Sequence, residues 1–301
     1  MTGQEWDELA LIEGISRRST WDLTREILGD DAAVMPVQHA RLTLCADALA
    51  QGVHFDLAYW TPAEVGAKAV TVNISDLAAM AAKPLWILST IAAPKHFDVE
   101  ALLLGIERRV QDYGAHLIGG DLTRSDTVVV SVTAIGIQLL PPLRRGGARP
   151  GDTIFVTGPL GLASVALAQL SQSNEIDDRT RRALLDPTAR IEEGFAAARA
   201  GASAAIDISD GLALDLHRLA NASGVGFHLT SVPVAQGASL ADALGGGEDY
   251  ELLFTAPDPD LIYAEFAEAG LARPTAIGTI LVDRAVRNLE GAPLDPTGYR
   301  H

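Results

Sequence analysis

The amino-acid sequence predicts an α/β protein, with α+β mixed sheets, built as two domains. Three observations carry that expectation. β-Branched apolar runs alternate with helical segments along most of the chain. The 301 residues exceed what one hydrophobic core usually serves. A stretch rich in Pro, Gly and Arg, LLPPLRRGGARPG at 139–151, interrupts the alternation near its middle. The expected boundary separates residues 1–140 from 141–301.

The elements follow in order. Residues 4–18 read as a short helix with Leu9, Ile12 and Ile15 on one face. Residues 41–45 (RLTLC) alternate like a strand and run toward a turn. Pro62 opens a helix through PAEVGAKAVTVNISDLAAMAA, because proline lacks only an N–H that has no partner in the first helical turn. A buried strand is expected over 85–92, then a helix capped by Asp98 and running to about Tyr113 with Leu102, Ile106 and Val110 as its stripe. HLIGGDL and TVVVSVTAIGI read as strands. In the second half, DTIFVTG, AAIDIS, DYELLFTAP and PTAIGTILV are expected strands. GLASVALAQLS, PTARIEEGFAAARAG and DGLALDLHRLANASG are expected helices.

Composition excludes several classes of function. The net charge of -16 argues against duplex nucleic acid and anionic membranes, which need a cationic footprint. A single cysteine, Cys45, excludes an intrachain disulfide and a multi-cysteine zinc site. No apolar run reaches the ~18 residues of a membrane span, and the first residues are acidic where a secretion signal is basic. A cytoplasmic protein is the expectation. Gly-Lys never occurs, so there is no Walker-type P-loop. Lysines number only three (Lys68, Lys83 and Lys95), which leaves cationic roles mainly to arginine.

The chemistry is expected in the aspartates. Asp30 and Asp31 (GDDAAV), Asp47, Asp76 (VNISDLAAM), Asp121 (GGDLTR), Asp207 and Asp210 (DISDGL), and Glu248 with Asp249 (GGGEDYEL) recur beside small residues where strands are expected to end. Apolar flanks imply partial burial, and buried carboxylates repel one another unless cations intervene. Oxygen ligands without Cys or many His select Mg²⁺, Mn²⁺ or Ca²⁺. Each motif alone has a plainer reading: Asp210 as a helix cap, Asp30 as an Asx-turn, His54 as a histidine packed beside Phe55, Arg145 as a linker charge. Their repetition favours a metal site. The glycine amides of GGD suit a phosphate oxygen beside a metal, and an arginine such as Arg145 suits a phosphate contact. Asn73 and Asp76, three apart, face the same way on one helix.

Taken together, GDDAAV, DALxxGVHF, VNISDLAAM, GGDxTR, GARPGD, DISDGL and GGEDYELLF form an ordered series over nearly the whole chain. The series resembles the thiamine-monophosphate kinase family, within the superfamily of aminoimidazole ribonucleotide synthetase. That resemblance implies ATP-dependent phosphorylation of thiamine monophosphate to thiamine diphosphate by in-line transfer, with several Mg²⁺ ions. It implies an aminoimidazole ribonucleotide synthetase-like architecture in a homodimer whose N-terminal domains pair. Residues 1–140 would bind metal and ATP and dimerise; residues 141–301 would complete the nucleotide and substrate site.

Carried over residue by residue, Asp31, Asp47, Asp76, Asp121, Asp207 and Asp210 would be metal ligands, with Ala46 through its carbonyl. Tyr113, Gly120, Asp121, Arg145 and Ser209 would contact ATP. His54, Glu248 and Tyr299 would contact thiamine monophosphate. No general base is assigned, because a phosphate acceptor is already deprotonated near neutral pH. The family usually has hydroxyl residues where this chain has Cys45 and Ala46, and a thiol is a poor Mg²⁺ ligand. Two other readings stay open at this point: another ATP-dependent synthetase of the superfamily, or a non-catalytic metal- and nucleotide-binding relative.

Overall fold

The computed structural model describes residues 30–37, 40–172 and 176–299; the helix expected over 4–18 lies outside them. The first half forms a five-stranded sheet of β1 (Ala33–Val37), β2 (Ala40–Ala50), β3 (Ala82–Ala93), β4 (His116–Arg124) and β5 (Val129–Gln138), in the order β1-β2-β5-β3-β4. All its pairs are antiparallel except β3 with β4. Val130, Val132 and Ala134 of β5 and Ile87 and Ile91 of β3 point to one face and are buried, while Trp86 and Leu88 point to the other and are exposed.

Two helices cover the buried face, α1 (Pro62–Ala79) and α2 (Val99–Asp112). Pro62 begins α1 as expected, and Thr61 with Glu64 forms a capping box ahead of it. Asp98 caps α2 through the Ala101 N–H. The two helices cross at backbone contact. A methyl group on Gly66 would meet the Leu102 carbonyl oxygen at 2.2 Å, and one on Gly105 the Ala63 carbonyl oxygen at 2.0 Å. Only glycine permits that approach.

The second half forms a seven-stranded sheet of β6 (Thr153–Val156), β7 (Ala204–Asp207), β8 (Gly226–Leu229), β9 (Leu252–Ala256), β10 (Thr275–Leu281), β11 (Arg287–Leu289) and β12 (Ala292–Pro293), in the order β12-β11-β8-β10-β6-β9-β7. Its helices are α3 (Leu162–Ser171), α4 (Asp178–Leu185), α5 (Ile191–Arg199), α6 (Leu212–Ser223), α7 (Leu240–Gly245) and α8 (Pro259–Glu268). Both faces are covered. Ile154, Val156, Ile206 and Leu253 pack with α6 on one face; Phe155, Ala205 and Phe254 pack with α5 and α8 on the other. Two-sided burial explains why these strands read as unbroken apolar runs.

Helix α1 joins the halves. Its Val65, Ala69 and Ile74 belong to the first core, while Ala78 and Ala79 belong to the core that holds Phe155 and Phe254. A methyl group on Gly194 of α5 would meet the Ala78 carbonyl oxygen at 2.1 Å. A helix apolar nearly all round is one buried nearly all round. Packing also departs from chain order: Ala163 and Ala166 of α3 and Leu184 and Leu185 of α4 lie in the first core.

The sheets are mixed, as expected: among the described strands β3 with β4 and β8 with β11 run parallel and the other pairs antiparallel. Several other expectations need correction. Strand β2 continues through Asp47 to Ala50, held by its full ladder with β5. Asp47 and Asp121 therefore lie inside strands, and Asp76 in a helix; of the metal candidates only Asp207 closes a strand. The helix expected to open at Pro187 begins at Ile191. Residues 186–190 form an irregular strap instead, because tertiary partners take its backbone: Arg109 donates to the Pro187 carbonyl (3.1 Å) and Ala189 N–H donates to the Tyr113 hydroxyl (2.9 Å).

Candidate metal and phosphate site

Carboxylate oxygens of Asp31, Asp76 and Asp207 all lie within 4.8 Å of one another. They arrive from three places: the chain before β1, the last turn of α1, and the end of β7. Asp31 and Asp207 are buried and Asp76 is half-buried. Two unit charges 4.8 Å apart repel by about 3.5 kcal/mol at an effective dielectric constant near 20, so three ionised pairs would cost roughly 10 kcal/mol. That approaches the entire stability of a domain.

Cations or protons must therefore answer this charge. Burial, then Asp47, Asp207 and Asp31, push the Asp76 carboxyl well above its ordinary range, with Arg145 pulling the other way. Burial, then Asp31, push Asp207 up as well, while Ser75 Oγ donates to it at 2.6 Å and opposes the shift. The cation in contact is Arg145, which donates to Asp31 through Nε (3.1 Å) and Nη2 (2.8 Å). Burial lowers the Arg145 pKa, but Asp31, Asp207 and Asp76 outweigh it and hold the guanidinium above its usual value. Among the described residues, one guanidinium against three carboxylates leaves the site acidic. An all-oxygen donor set with surplus negative charge fits a hard divalent cation.

Asp47 stands beside this group, and its backbone N–H is held by Asn73 Oδ1 at 3.0 Å. The neighbouring Cys45 is buried and donates its thiol to the Asn73 carbonyl at 3.2 Å. Burial, Asp76 and Asp47 all push that thiol up, so it stays neutral and acts as a tie between β2 and α1. Ala46 is exposed in β2, in register with Thr133.

The next segment continues the site. Asp210 pairs with Arg218, and Asp215 accepts from the N–H groups of Asp210 (3.1 Å) and Gly211 (3.2 Å). Asp210 is thus no side-chain cap of α6, whose N-cap is Gly211. Ser209 gives its carbonyl to Glu248 N–H (2.7 Å), and Tyr299 N–H reaches the Asp210 carbonyl (3.0 Å). Tyr250 links this region to the aspartates: burial, Glu248, Asp207 and Asp47 keep its hydroxyl protonated, and it donates to Glu248 Oε1 at 3.2 Å. Asp30 is an anchor, accepting from Arg144 (2.7 Å) and from the Arg145 N–H (3.0 Å).

Other expected residues lie elsewhere. Gly120 sits on edge strand β4 in one row with Ser89, Val132 and Asp47, three strand spacings or about 14 Å from Asp47. Asp121 follows it, exposed and opposite Thr90. Tyr113 lies under the strap 186–190 and lines a cavity of about 560 Å³ together with Lys83, Phe195 and Leu271. His54 closes the turn after β2, where its Nδ1 accepts from Ala50 N–H at 3.0 Å, leaving the ring proton on Nε2.

Sequence reasoning missed Ser75, Lys68, Asp215 and Arg218. Lys68 carried a signal, since it is a lysine inside the apolar run of α1. Asp215 and Arg218, three apart on α6, carried the signal of helical spacing, whereas Ser75 carried none because its partner Asp207 lies in a distant segment.

Comparison with known proteins places this geometry. The description "AIR synthase related protein, N-terminal domain" matches residues 29–138, and "AIR synthase related protein, C-terminal domain" matches 149–287. Among similar relatives, the thiamine-monophosphate kinase of Aquifex aeolicus is 32% identical and covers 99% of each chain. That of Corynebacterium glutamicum is 38% identical over 75% of this chain and 76% of the relative. A solved structure of AaThiL complexed with AMPPCP and TMP aligns with a TM-score of 0.89 at 30% identity, covering 100% of both chains.

Asp249 offers a test of the buried acidity beside this site. Both its oxygens face the Gly161 N–H at 2.9 and 3.1 Å, yet burial, with Glu251 and Glu248, pushes its pKa up to about 8. A raised carboxyl binds a proton in the folded chain that the unfolded chain has released, so stability is lost as pH rises from about 4 to about 8. In EDTA, wild type is expected to melt at a lower temperature at pH 8 than at pH 5.5. Asp249→Asn should show a smaller drop. Equal pH slopes for the two proteins would refute the shift.

Proposed function

The chain belongs to the thiamine-monophosphate kinase family, and from that premise we propose that it transfers the γ-phosphoryl group of ATP directly to the phosphate of thiamine monophosphate, yielding thiamine diphosphate and ADP. The observation that carries the proposal is the convergence of Asp31, Asp76 and Asp207, on a scaffold like that of a protein complexed with AMPPCP and TMP. We read AMPPCP as a stand-in for ATP and TMP as thiamine monophosphate.

Asp31, Asp76 and Asp207 would hold Mg²⁺, with Asp47, Asp121, Asp210 and the Ala46 carbonyl as further ligands. Bound there, Mg²⁺ supplies positive charge between two polyanions that otherwise repel. The protein's own task is positioning. Arg145, fixed by Asp31, would bring its charge to the ATP phosphates. Gly120 and Ser209 would meet ATP with backbone and hydroxyl groups, and Tyr113 would lie near the nucleotide. His54, through the proton on Nε2, would donate to the acceptor phosphate, while Glu248 and Tyr299 contact the rest of thiamine monophosphate. No side chain need remove a proton, because the acceptor phosphate is largely deprotonated above pH ~6.

Dimerisation and a cytoplasmic location belong to the same reading, as does a division into a metal- and dimer-forming first half and a site-completing second half near residue 140. Exposed Trp86 and Leu88 on the open face of β3, and exposed Ile118 on edge strand β4, support pairing with a second copy. That pairing would also bring cover to Gly120 and Asp121. No helix among the described residues is long and apolar enough to cross a membrane.

An ADP-release assay run in parallel with thiamine monophosphate, thiamine and an aminoimidazole precursor tests the activity. Turnover is expected with thiamine monophosphate alone and only with a divalent cation. Asp76→Asn is expected to lower kcat/KM about a hundredfold while the chain stays folded. Activity within a few-fold of wild type with the same magnesium dependence would defeat the assignment. Sedimentation velocity at micromolar concentration should give two chains per particle, and Leu88→Glu should give one; a wild-type monomer would defeat the pairing.

A further inference from the structure

Lys68 has a role that the aspartate chemistry does not use. It is only 1% exposed, in the middle of α1, yet it carries a charge. Its Nζ donates to the Leu184 carbonyl at 2.9 Å and pairs with a carboxylate oxygen of Glu248. The ring centroid of Trp60 lies 4.9 Å from Nζ and that of Tyr250 5.7 Å. A compact ammonium between two aromatic faces and two oxygens is fully solvated by protein.

The partner is held just as closely. The second oxygen of Glu248 takes the Tyr250 hydroxyl at 3.2 Å, and its N–H reaches the Ser209 carbonyl at 2.7 Å. The backbone there is strained: φ is +66° at Gly247, +64° at Glu248 and +51° at Tyr250. Non-glycine residues rarely occupy that region, and such strain gathers where a side chain must be aimed. The Glu248 side chain keeps 28% exposure, whereas Lys68 is sealed behind it. A bound molecule can therefore reach the carboxylate but not the ammonium.

We infer that Lys68 is a positioning residue: from the first half of the chain it clamps the Glu248 carboxylate in the left-handed loop of the second half, so that the exposed edge of Glu248 receives a hydrogen-bond donor or cationic group of the acceptor substrate. This rests on the reading of thiamine monophosphate as that substrate, whose aminopyrimidine and thiazolium supply such groups. Glu248 touches substrate; Lys68 acts through it. The clamp also makes acceptor binding depend on the two halves being joined at α1.

The KM split between the two substrates tests the clamp. With Lys68→Met, KM for thiamine monophosphate is expected to rise roughly tenfold or more, the size of one lost charge-assisted contact, while KM for ATP stays within about twofold. Lys68→Arg keeps charge but moves the nitrogen, and should fall between wild type and Lys68→Met. If Lys68→Met does not fold, the arginine variant and the pair Glu248→Gln and Lys68→Met/Glu248→Gln carry the comparison. The double variant should be no worse than Glu248→Gln alone, since the amide leaves no charge to clamp. A rise in both KM values together, or losses that multiply in the double variant, would overturn the inference and leave Lys68 a structural tie to Leu184. Wild-type protein inactive on thiamine monophosphate would instead defeat the substrate reading.

Discussion

The structure depends on one electrostatic constraint: three carboxylates from unconnected segments share a space too small for three unneutralised charges. A core that served stability alone would not gather them. Arg145 answers part of the charge, and Ser75 and the raised pKa values of Asp76 and Asp207 answer another part. What remains is an acidic, all-oxygen donor set that fits a hard divalent cation.

Helix α1 is the element that makes the gathering possible. It lies between the two sheets with nearly every side chain buried. Close contacts at Gly66 and Gly194 lock it against α2 and α5. From this fixed axis project Lys68 toward Glu248, Asn73 toward Asp47, Ser75 toward Asp207, and Asp76 into the acidic cluster. Few of these links are local in sequence. The pairs span 26 to 180 residues, so the site exists only when both halves are folded against α1.

This long range decides what was legible in the sequence. Local signals read well: Pro62 opening α1, Asp98 capping α2, the apolar strands of the second sheet, and the aspartates of GDDAAV, VNISDLAAM and DISDGL. Signals that depend on tertiary partners did not. The helix start at Pro187 gave way because Arg109 and Tyr113 claim the backbone of the strap. Ser75 acquires its role from Asp207, a neighbour that spacing does not reveal. At Cys45 the thiol tethers β2 to α1 through the Asn73 carbonyl, a contact between segments far apart in the chain.

The most direct measurement is calorimetric titration of metal-free protein with Mg²⁺ near pH 7 in buffers of different ionisation enthalpy. Because Asp76 and Asp207 hold protons more tightly than ordinary carboxyls, saturable binding should release protons, and Asp207→Asn should weaken both the binding and the release. Absence of saturable binding, or binding with no proton release and no response to Asp207→Asn, would contradict the account.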